Sequence, residues 1–320
     1  MGPSSAARAA VASSSRSQRR EPRLRSRLRC AKPTQPPSGA WLTIADDGGT
    51  TGVTGTVFLK LGGALLTEKH GHEAVRGAVL VRLAGEVAAW PGARDGRLVV
   101  AHGSGSFGHV AARETGFLDR PADAMALARV AAAAGRLNAA VVDALIAADL
   151  PAVAVPGGLV ATCDAGRVVA VRGALIAERL AARLVPVTYG DAALDRARGG
   201  TIVSTEPLLA ALADALRPTR IVLATDVDGV FDADPHAHPG ARRFDQVTPR
   251  DREALAAALS GARAGVVDVT GGMASKVGAM LDAVQRHPGL VVHIVSGLRP
   301  GAVAAALAGD RAAGGTTIRA

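Results

Sequence analysis

Four glycine-rich segments of this 320-residue sequence combine small residues with lysine, histidine or aspartate. The first segment, Lys60-Leu-Gly62-Gly63, ends a short apolar run and is followed by Lys69. Two successive glycines allow backbone N–H groups to approach a phosphate closely. Taken alone, such a turn is weak evidence for a phosphate site.

The second segment has a loop of small residues between two histidines, and its members are His102, Gly103, Ser104, Gly105, Gly108 and His109. A loop of this kind before a helix suits an anion, and histidines add donors that protonate near neutral pH. The alternative is a tight turn with one histidine packed against a sheet. We favour packing for His102, which ends the apolar run, and ligand binding for His109.

The third segment follows an apolar run at 221–224 and includes Thr225, Asp226, Asp228, Gly229, Phe231 and Asp234. Two carboxylates followed by glycine are compatible with three structures. They could form a metal site, a turn closed by a side chain, or a nucleotide-binding loop. The pattern alone does not choose among them, although the turn is the commonest outcome.

In the fourth segment, Asp268, Thr270, Gly271 and Gly272 precede a predicted helix with Lys276 in its first turn. The N-terminus of a helix with small residues and a lysine is a further place to hold phosphoryl oxygens. The spacing differs from that of a P-loop, since no G-x-x-x-x-G-K-[ST] is present.

Lysine is rare in this chain, which has 33 arginines and only four lysines: Lys32, Lys60, Lys69 and Lys276. Three of these lie in or beside the glycine-rich segments. A compact ammonium on a flexible stem can follow a phosphoryl group between oxygen atoms, whereas a rigid guanidinium cannot replace it freely. Three such charges indicate phosphoryl transfer, in which catalysis consists mainly of positioning and charge neutralisation.

The elements that position these segments begin at residue 57. Short β-branched runs predict strands at 57–61, 98–101, 152–155, 184–187, 201–203, 221–224 and 290–295. Ala/Leu-rich stretches predict helices near 72–90, 122–149, 172–183, 206–216, 249–260, 273–286 and 301–308. This alternation indicates an α/β fold with a mostly parallel sheet. Ligands bind beyond the carboxyl ends of such strands, where the glycine-rich segments lie.

The formal net charge of +9 is concentrated near the N-terminus. Residues 1–40 contain eight arginines and Lys32 against Glu21, a net charge of +8, which leaves +1 for the rest. We interpret residues 1–54 as a basic, disordered leader or the product of a misassigned start codon, with a targeting segment as the alternative. Because the body is nearly neutral, and aromatic residues make up 2%, we expect no nucleic acid partner. Nucleic acid binding through the basic leader is the alternative.

Two cysteines, Cys30 and Cys163, are too few for a disulfide framework or a thiolate zinc site. A cytoplasmic location is therefore expected. The sequence has no run of about 18 consecutive apolar residues, so we expect no membrane span.

Together the four segments resemble those of the amino acid kinase superfamily, and most closely those of the isopentenyl phosphate kinases. The resemblance covers about residues 56–320, with the motifs in the family's order. The likeness to isopentenyl phosphate kinases depends on the Gly-Ser-Phe-Gly-His109 ending and on Lys69, nine residues after Lys60. Fosfomycin kinases have a similar ending, so a phosphonate kinase is the nearest alternative.

The resemblance implies an open αβα sandwich with a mostly parallel central sheet. It implies that residues 55–190 bind the phosphate acceptor and residues 191–320 bind MgATP. The implied reaction converts isopentenyl phosphate and ATP to isopentenyl diphosphate and ADP, and the expected assembly is a homodimer. Mg²⁺ is expected to arrive with ATP, so no metal site made by the protein alone is predicted.

The resemblance also implies roles for individual residues. Lys60 and Lys276 would neutralise the transferring phosphoryl group, Lys69 would assist at the nucleotide, and His109 would bind the acceptor phosphate. Further ATP-binding residues would be Gly62, Gly63, Thr225, Asp226, Asp228, Gly229, Phe231, Asp234 and Gly272. Further acceptor-binding residues would be Gly103, Ser104, Gly105, Gly108, Gly190 and Asp191.

The chain departs from the family pattern at Ser204-Thr205-Glu206, where the family has Ser-Gly-Asp. In the family, this Asp orients the two catalytic lysines. With Glu206 in its place, the carboxylate is one methylene further from the backbone. We expect Glu206 to take the same catalytic role with a more relaxed lysine geometry. Weak catalysis by a nucleotide-binding homologue is the alternative.

Overall fold

A large, mostly parallel sheet organises the part of the chain that the structure, a computed structural model, describes: residues 55–68, 73–260, 272–310 and 313–320. The strands are β1 (Val57–Leu61), β2 (Leu98–His102), β3 (Ala152–Ala154), β4 (Ala161–Asp164), β5 (Arg167–Val171), β6 (Val185–Tyr189), β7 (Asp191–Asp195), β8 (Gly199–Val203), β9 (Arg220–Thr225), β10 (Val230–Phe231), β11 (Arg243–Phe244), β12 (Gln246–Val247), β13 (Val291–Ser296) and β14 (Thr316–Ile318).

The helices are α1 (Gly63–Leu66), α2 (Gly77–Ala88), α3 (Gly105–Glu114), α4 (Ala124–Ala147), α5 (Gly157–Val160), α6 (Gly173–Ala181), α7 (Thr205–Leu216), α8 (Arg252–Ser260), α9 (Gly272–Arg286) and α10 (Ala302–Ala308). Within the described residues, the main sheet has eight strands in the order β12-β14-β13-β9-β1-β2-β6-β3. Its neighbours are parallel except β13 and β14, which are antiparallel.

The central strands are buried along their whole length, because helices cover both faces of the sheet. Alternate residues of β1 face opposite cores. Phe58 packs in one cluster with residues of α7 and α9, whereas Val57, Leu59 and Leu61 pack in another with residues of α2, α4 and α10. The continuous apolar runs in the sequence are therefore strands with two buried faces.

Each predicted strand and helix has a counterpart in the structure, but the predicted strand 201–203 does not lie in the main sheet. β8 lies in a separate four-stranded sheet, ordered β5-β4-β7-β8, and pairs antiparallel with β7. The short strands β4, β5, β7, β10, β11, β12 and β14 and the one-turn helices α1 and α5 were not predicted, and α3 begins at Gly105, inside the predicted glycine-rich loop. These strands have two to five residues, and their apolar pattern is too short to distinguish a strand from a loop.

Helix α4 is 24 residues long and, within the described residues, is long and apolar enough to cross a membrane. This is weak evidence for a span, since core helices of soluble proteins pass the same test. One face of α4 is buried by Val130, Leu137, Val141 and Leu145. The carboxylate of Asp123 accepts hydrogen bonds from two backbone N–H groups and caps its N-terminus.

Candidate active site

The first two glycine-rich turns are in direct contact. Gly62 N donates to Ala224 O at 2.8 Å, and Gly103 N donates to Leu61 O at 3.1 Å. A Cβ atom on Gly63 would lie 2.5 Å from Gly105 N, so no larger residue fits there. The parallel order β9-β1-β2 thus brings the two turns together. Because the N–H groups of Gly62 and Gly103 bind backbone carbonyls, the candidate donors to a common anion are those of Gly63, Ser104 and Gly105.

Thr67 connects these two turns, although sequence analysis assigned it no role. Its hydroxyl donates to Gly63 O at 3.0 Å and accepts from Ser106 N at 3.1 Å. Gly105 has φ of +54°, and a Cβ atom there would lie 2.5 Å from Thr67 Oγ1. The sequence shows only a threonine four residues after Gly63. The hydrogen bond that it accepts from Ser106 N is apparent only in the fold.

Lys60 and Glu206 form a buried ion pair beside these turns. Lys60 Nζ lies 2.9 Å from Glu206 Oε1, and their side chains are 5% and 8% exposed. Lys60 is the next-to-last residue of the buried strand β1, whereas Glu206 lies in the first turn of α7. A direct contact is therefore made despite the extra methylene of glutamate.

The charge of Glu206 is maintained by two lysines. Burial by itself would raise the pKa of Glu206, but the charges of Lys60 and Lys276 and the hydrogen bond from Lys60 lower it below its usual value. Lys276 is the fifth residue of α9 and is half-buried. The structure thus brings together two of the lysines singled out by the sequence, while Lys69 lies outside the described residues.

His102 and His109 differ in their surroundings. His102 is fully buried, with Nδ1 3.1 Å from Gly103 O and Nε2 3.0 Å from Asn138 Oδ1, and it stacks on Tyr189. Burial lowers the pKa of His102, although these hydrogen bonds oppose the change, so the ring is neutral at neutral pH. The packing predicted for His102 is confirmed. His109 lies one turn into α3 and is half-buried.

The third glycine-rich segment begins where β9 ends. Thr225 Oγ1 accepts from Val227 N and donates to Val227 O, both at 3.0 Å, which closes a tight turn. The Asp228 carboxylate accepts from Arg243 at 2.9 Å and from Ser296 N at 3.3 Å. Of the three alternatives left open by the sequence, the turn is present.

The other residues predicted to bind the nucleotide belong to the third and fourth segments. Gly229 has φ of +118°, and a Cβ atom there would lie 2.5 Å from Thr316 Oγ1. Phe231 pairs with Arg243 in the β10–β11 hairpin, and Asp234 accepts from His236 N at 2.9 Å. Asp226 follows Thr225 and is half-buried, and Gly272 begins α9. Asp268, Thr270 and Gly271 of the fourth segment lie outside the described residues.

Gly190 connects β6 to β7, and Asp191 is the first residue of β7. Gly190 N donates to His102 O at 2.9 Å, which brings Gly190 to the second glycine-rich loop. The Asp191 carboxylate instead accepts from Gly158 N at 3.1 Å and from Ala192 N at 2.8 Å. Burial raises the pKa of Asp191 to about 6, although these two hydrogen bonds oppose the change.

This raised pKa predicts a pH-dependent cost to stability. Because the folded state holds the proton more tightly than the unfolded state, the cost is absent below pH 3.8 and complete above about pH 6. As pH rises over this interval, the parent should lose up to about 3 kcal/mol of unfolding free energy that Asp191→Asn keeps, because asparagine does not ionise. Urea unfolding at several pH values measures the difference. A difference independent of pH would contradict the prediction.

The comparisons with known proteins identify similar sequences. The model of the amino acid kinase family matches residues 55–296. The isopentenyl phosphate kinase of Methanothermobacter thermautotrophicus is 33% identical over 269 residues, covering 81% of this chain and 97% of that protein. The isopentenyl phosphate kinase of Haloferax volcanii is 36% identical over 227 residues, covering 70% and 87%.

Solved structures agree with these sequence similarities. A crystal structure of an isopentenyl phosphate kinase superposes with a TM-score of 0.68 at 31% identity, covering 82% of this chain and 99% of that one. The product complex of the Thermoplasma acidophilum isopentenyl phosphate kinase has a TM-score of 0.66 at 24% identity, covering 82% and 100%. At that identity the second likeness supports the fold alone.

Proposed function

The chain belongs to the amino acid kinase family, and we propose that it is an isopentenyl phosphate kinase, which transfers the γ-phosphoryl group of ATP to isopentenyl phosphate. The observation that carries this proposal is the buried Lys60–Glu206 pair beside two glycine-rich turns. It provides a fixed ammonium and backbone donors at one edge of the sheet. This arrangement suits stabilisation of a transferring phosphoryl group.

In the proposed reaction, a phosphate oxygen of isopentenyl phosphate attacks the γ-phosphorus of ATP. A new P–O bond forms as the bond between the γ-phosphorus and the bridging oxygen breaks, and ADP leaves. A phosphate monoester has a second pKa of about 6, so at neutral pH it is already a nucleophile. The protein therefore needs cations and donors more than a general base, and Lys60, Lys276 and His109 supply them.

We assign the nucleotide to the side of the site formed by β9, α9 and the turn after Thr225. Lys60 and Lys276 would then contact the β- and γ-phosphates, with Glu206 orienting Lys60. The backbone N–H group of Gly63 would complete the phosphate contacts, whereas the N–H of Gly62, also predicted to bind ATP, already donates to Ala224 O at 2.8 Å. The turn at Thr225 and the β10–β11 hairpin would shape the nucleotide pocket. Lys69 stays a prediction for the nucleotide side.

Mg²⁺ is proposed to bind with ATP rather than to a site made by the protein alone. Within the described residues, there is no group of three or more His, Cys, Asp or Glu side chains that could hold a metal ion. Mg²⁺ commonly keeps several waters and binds substrate phosphates with few protein ligands. When bound, it would neutralise charge on the β- and γ-phosphates.

The acceptor is assigned to the second glycine-rich loop. Backbone donors at Ser104 and Gly105 and the ring of His109 would hold its phosphate, with Gly190 close to the same loop. The N–H of Gly103, also predicted to bind the acceptor, already donates to Leu61 O at 3.1 Å. The assembly that we propose is a homodimer, because the family resemblance implies one. Light scattering on the purified full chain measures its mass.

A coupled ADP-release assay on the full chain tests the proposed function. We expect ADP release with isopentenyl phosphate and formation of a diphosphate that ³¹P NMR detects. The comparison substrates are dimethylallyl phosphate, geranyl phosphate and fosfomycin. ADP release with fosfomycin but not with isopentenyl phosphate would replace the proposal by a phosphonate kinase.

The position of His109 predicts a selective defect in acceptor use. We expect His109→Ala to lower kcat/KM for isopentenyl phosphate about 10- to 100-fold, as for loss of one hydrogen bond to a charged group. The dissociation constant for ATP, measured by calorimetry, should stay unchanged. An equal loss of ATP affinity would place His109 on the nucleotide side.

A further inference from the structure

Thr205 joins the start of helix α7 to the second glycine-rich loop. It is 2% exposed and immediately precedes Glu206. Its hydroxyl donates to the backbone oxygen of His102 at 3.0 Å, across 103 positions of sequence. His102 ends β2 and immediately precedes Gly103, so one hydrogen bond spans from the Glu206 side of the site to the loop assigned to the acceptor.

The same backbone oxygen also holds the turn between β6 and β7. Gly190 N donates to His102 O at 2.9 Å, and a Cβ atom on Gly190 would lie 3.2 Å from Thr205 Oγ1. A carbonyl oxygen has two lone pairs, and both have a donor here. Three segments of the site therefore meet at one atom, and Thr205 is the member that contributes a side chain.

Thr205 and Glu206 connect the N-terminus of α7 to β2 and β1 through side-chain hydrogen bonds. Within the described part of the chain, the N-cap residue Ser204 makes no capping hydrogen bond through its side chain. Leu208 and Leu209 are fully buried and hold the helix against the core. The hydrogen bond of Thr205 adds a polar contact to the main sheet one residue before Glu206, which contacts Lys60 at 2.9 Å. The position of the Glu206 backbone relative to the second glycine-rich loop therefore depends on Thr205.

We propose that Thr205 is a positioning residue, whose hydroxyl fixes the Glu206–Lys60 pair relative to the acceptor loop. Glutamate has one more rotatable bond than aspartate, so a fixed backbone is needed to hold its carboxylate in one place. The hydroxyl contacts neither proposed substrate, and its effect acts through the placement of Lys60. This inference rests on the proposed kinase function.

Kinetics of matched variants test this proposal. Thr205→Val removes the hydroxyl with little change in shape, and Thr205→Ser retains it. The control is Thr188→Val, since Thr188 is fully buried on β6 and its hydroxyl has no hydrogen-bond partner among the described residues. We expect Thr205→Val to lower kcat about tenfold, as for a small displacement of a catalytic group, with KM for ATP within about twofold of the parent. Thr205→Ser and Thr188→Val should stay within about twofold in kcat.

A second measurement, by NMR, needs no substrate. It is practical because the chain has only four lysines, so few lysine signals have to be distinguished. In protein labelled with ¹³C at lysine Cε, the Lys60 signal is assigned by its loss in Lys60→Met. We expect Thr205→Val to shift this signal, whereas Thr205→Ser and Thr188→Val leave it in place. If the parent protein releases no ADP, the kinase proposal fails, and the Lys60 signal still decides whether Thr205 positions Lys60.

Three results would overturn the role of Thr205. The first is an unmoved Lys60 signal in Thr205→Val. The second is an equal loss of kcat in Thr188→Val, which would indicate a general effect of the substitution on the core. The third is failure of Thr205→Ser to retain the parent kcat, which would assign the effect to the methyl group.

Discussion

Lys60→Met is expected to lower kcat about 100-fold or more, because it removes a fixed positive charge from the proposed transition state. It should also destabilise the fold, since Glu206 is 6% exposed and would lose the ammonium 2.9 Å away. Breaking one side of a buried ion pair costs about 3–5 kcal/mol. ADP release measures the first effect and urea unfolding measures the second.

The double variant Lys60→Met with Glu206→Gln separates these two effects. A neutral pair of similar volume removes the buried uncompensated charge, so most of the lost unfolding free energy should return. Turnover should remain low, because no ammonium is restored. Recovery of turnover in the double variant would show that the defect of Lys60→Met came from instability alone.

Lys276→Ala is expected to lower kcat about 100-fold while leaving the fold nearly unchanged. Lys276 contributes to the low pKa of Glu206, but it is half-buried, so its loss should cost about 1 kcal/mol or less of stability. The same two measurements apply. A large loss of stability would indicate that Lys276 is mainly a structural partner of Glu206.

The matched control for Lys276 lies on the same helix. Arg286 is in the last turn of α9, where its exposed guanidinium lies 2.9 Å from Asp214. Arg286→Ala removes one positive charge from α9 at the end remote from the glycine-rich turns. Its kcat should stay within about twofold of the parent. Equal slowing by both variants would mean that the net charge of α9, and not the position of Lys276, controls turnover.

Most of the fold could be predicted, because its central strands have strong local signals. The fully apolar runs at β1, β2 and β9 and the helical period of α4 and α7 are long enough to be recognised. The four-stranded sheet could not be predicted. Its strand β7 has the sequence Asp-Ala-Ala-Leu-Asp, and its pairing with β8 depends on residues that only the fold brings together.

Prediction of the candidate site was uneven for the same reason. Glycine turns and lysines are local features, so Lys60, Gly62, Gly63 and residues 103–109 could be singled out directly, although residues 105–109 form the start of α3. The side chain of Asp191 was expected at the acceptor, but it accepts hydrogen bonds from Gly158 N and Ala192 N. Nothing near Asp191 in the sequence predicts the bond from Gly158, which is 33 positions away.

The sequence by itself determined the chemistry, because residue type sets what a side chain can do. Rare lysines at glycine-rich strand ends indicate phosphoryl transfer wherever the strands lie in the sheet. The tertiary structure decided which of these groups act together. Lys60 and Glu206 are 146 positions apart and meet at 2.9 Å because the first turn of α7, which follows β8 of the four-stranded sheet, packs against the ends of β1 and β2 in the main sheet. The hydrogen bond from Thr205 to His102 O has the same origin, since the packing of α7 on the main sheet, and not sequence distance, makes this contact.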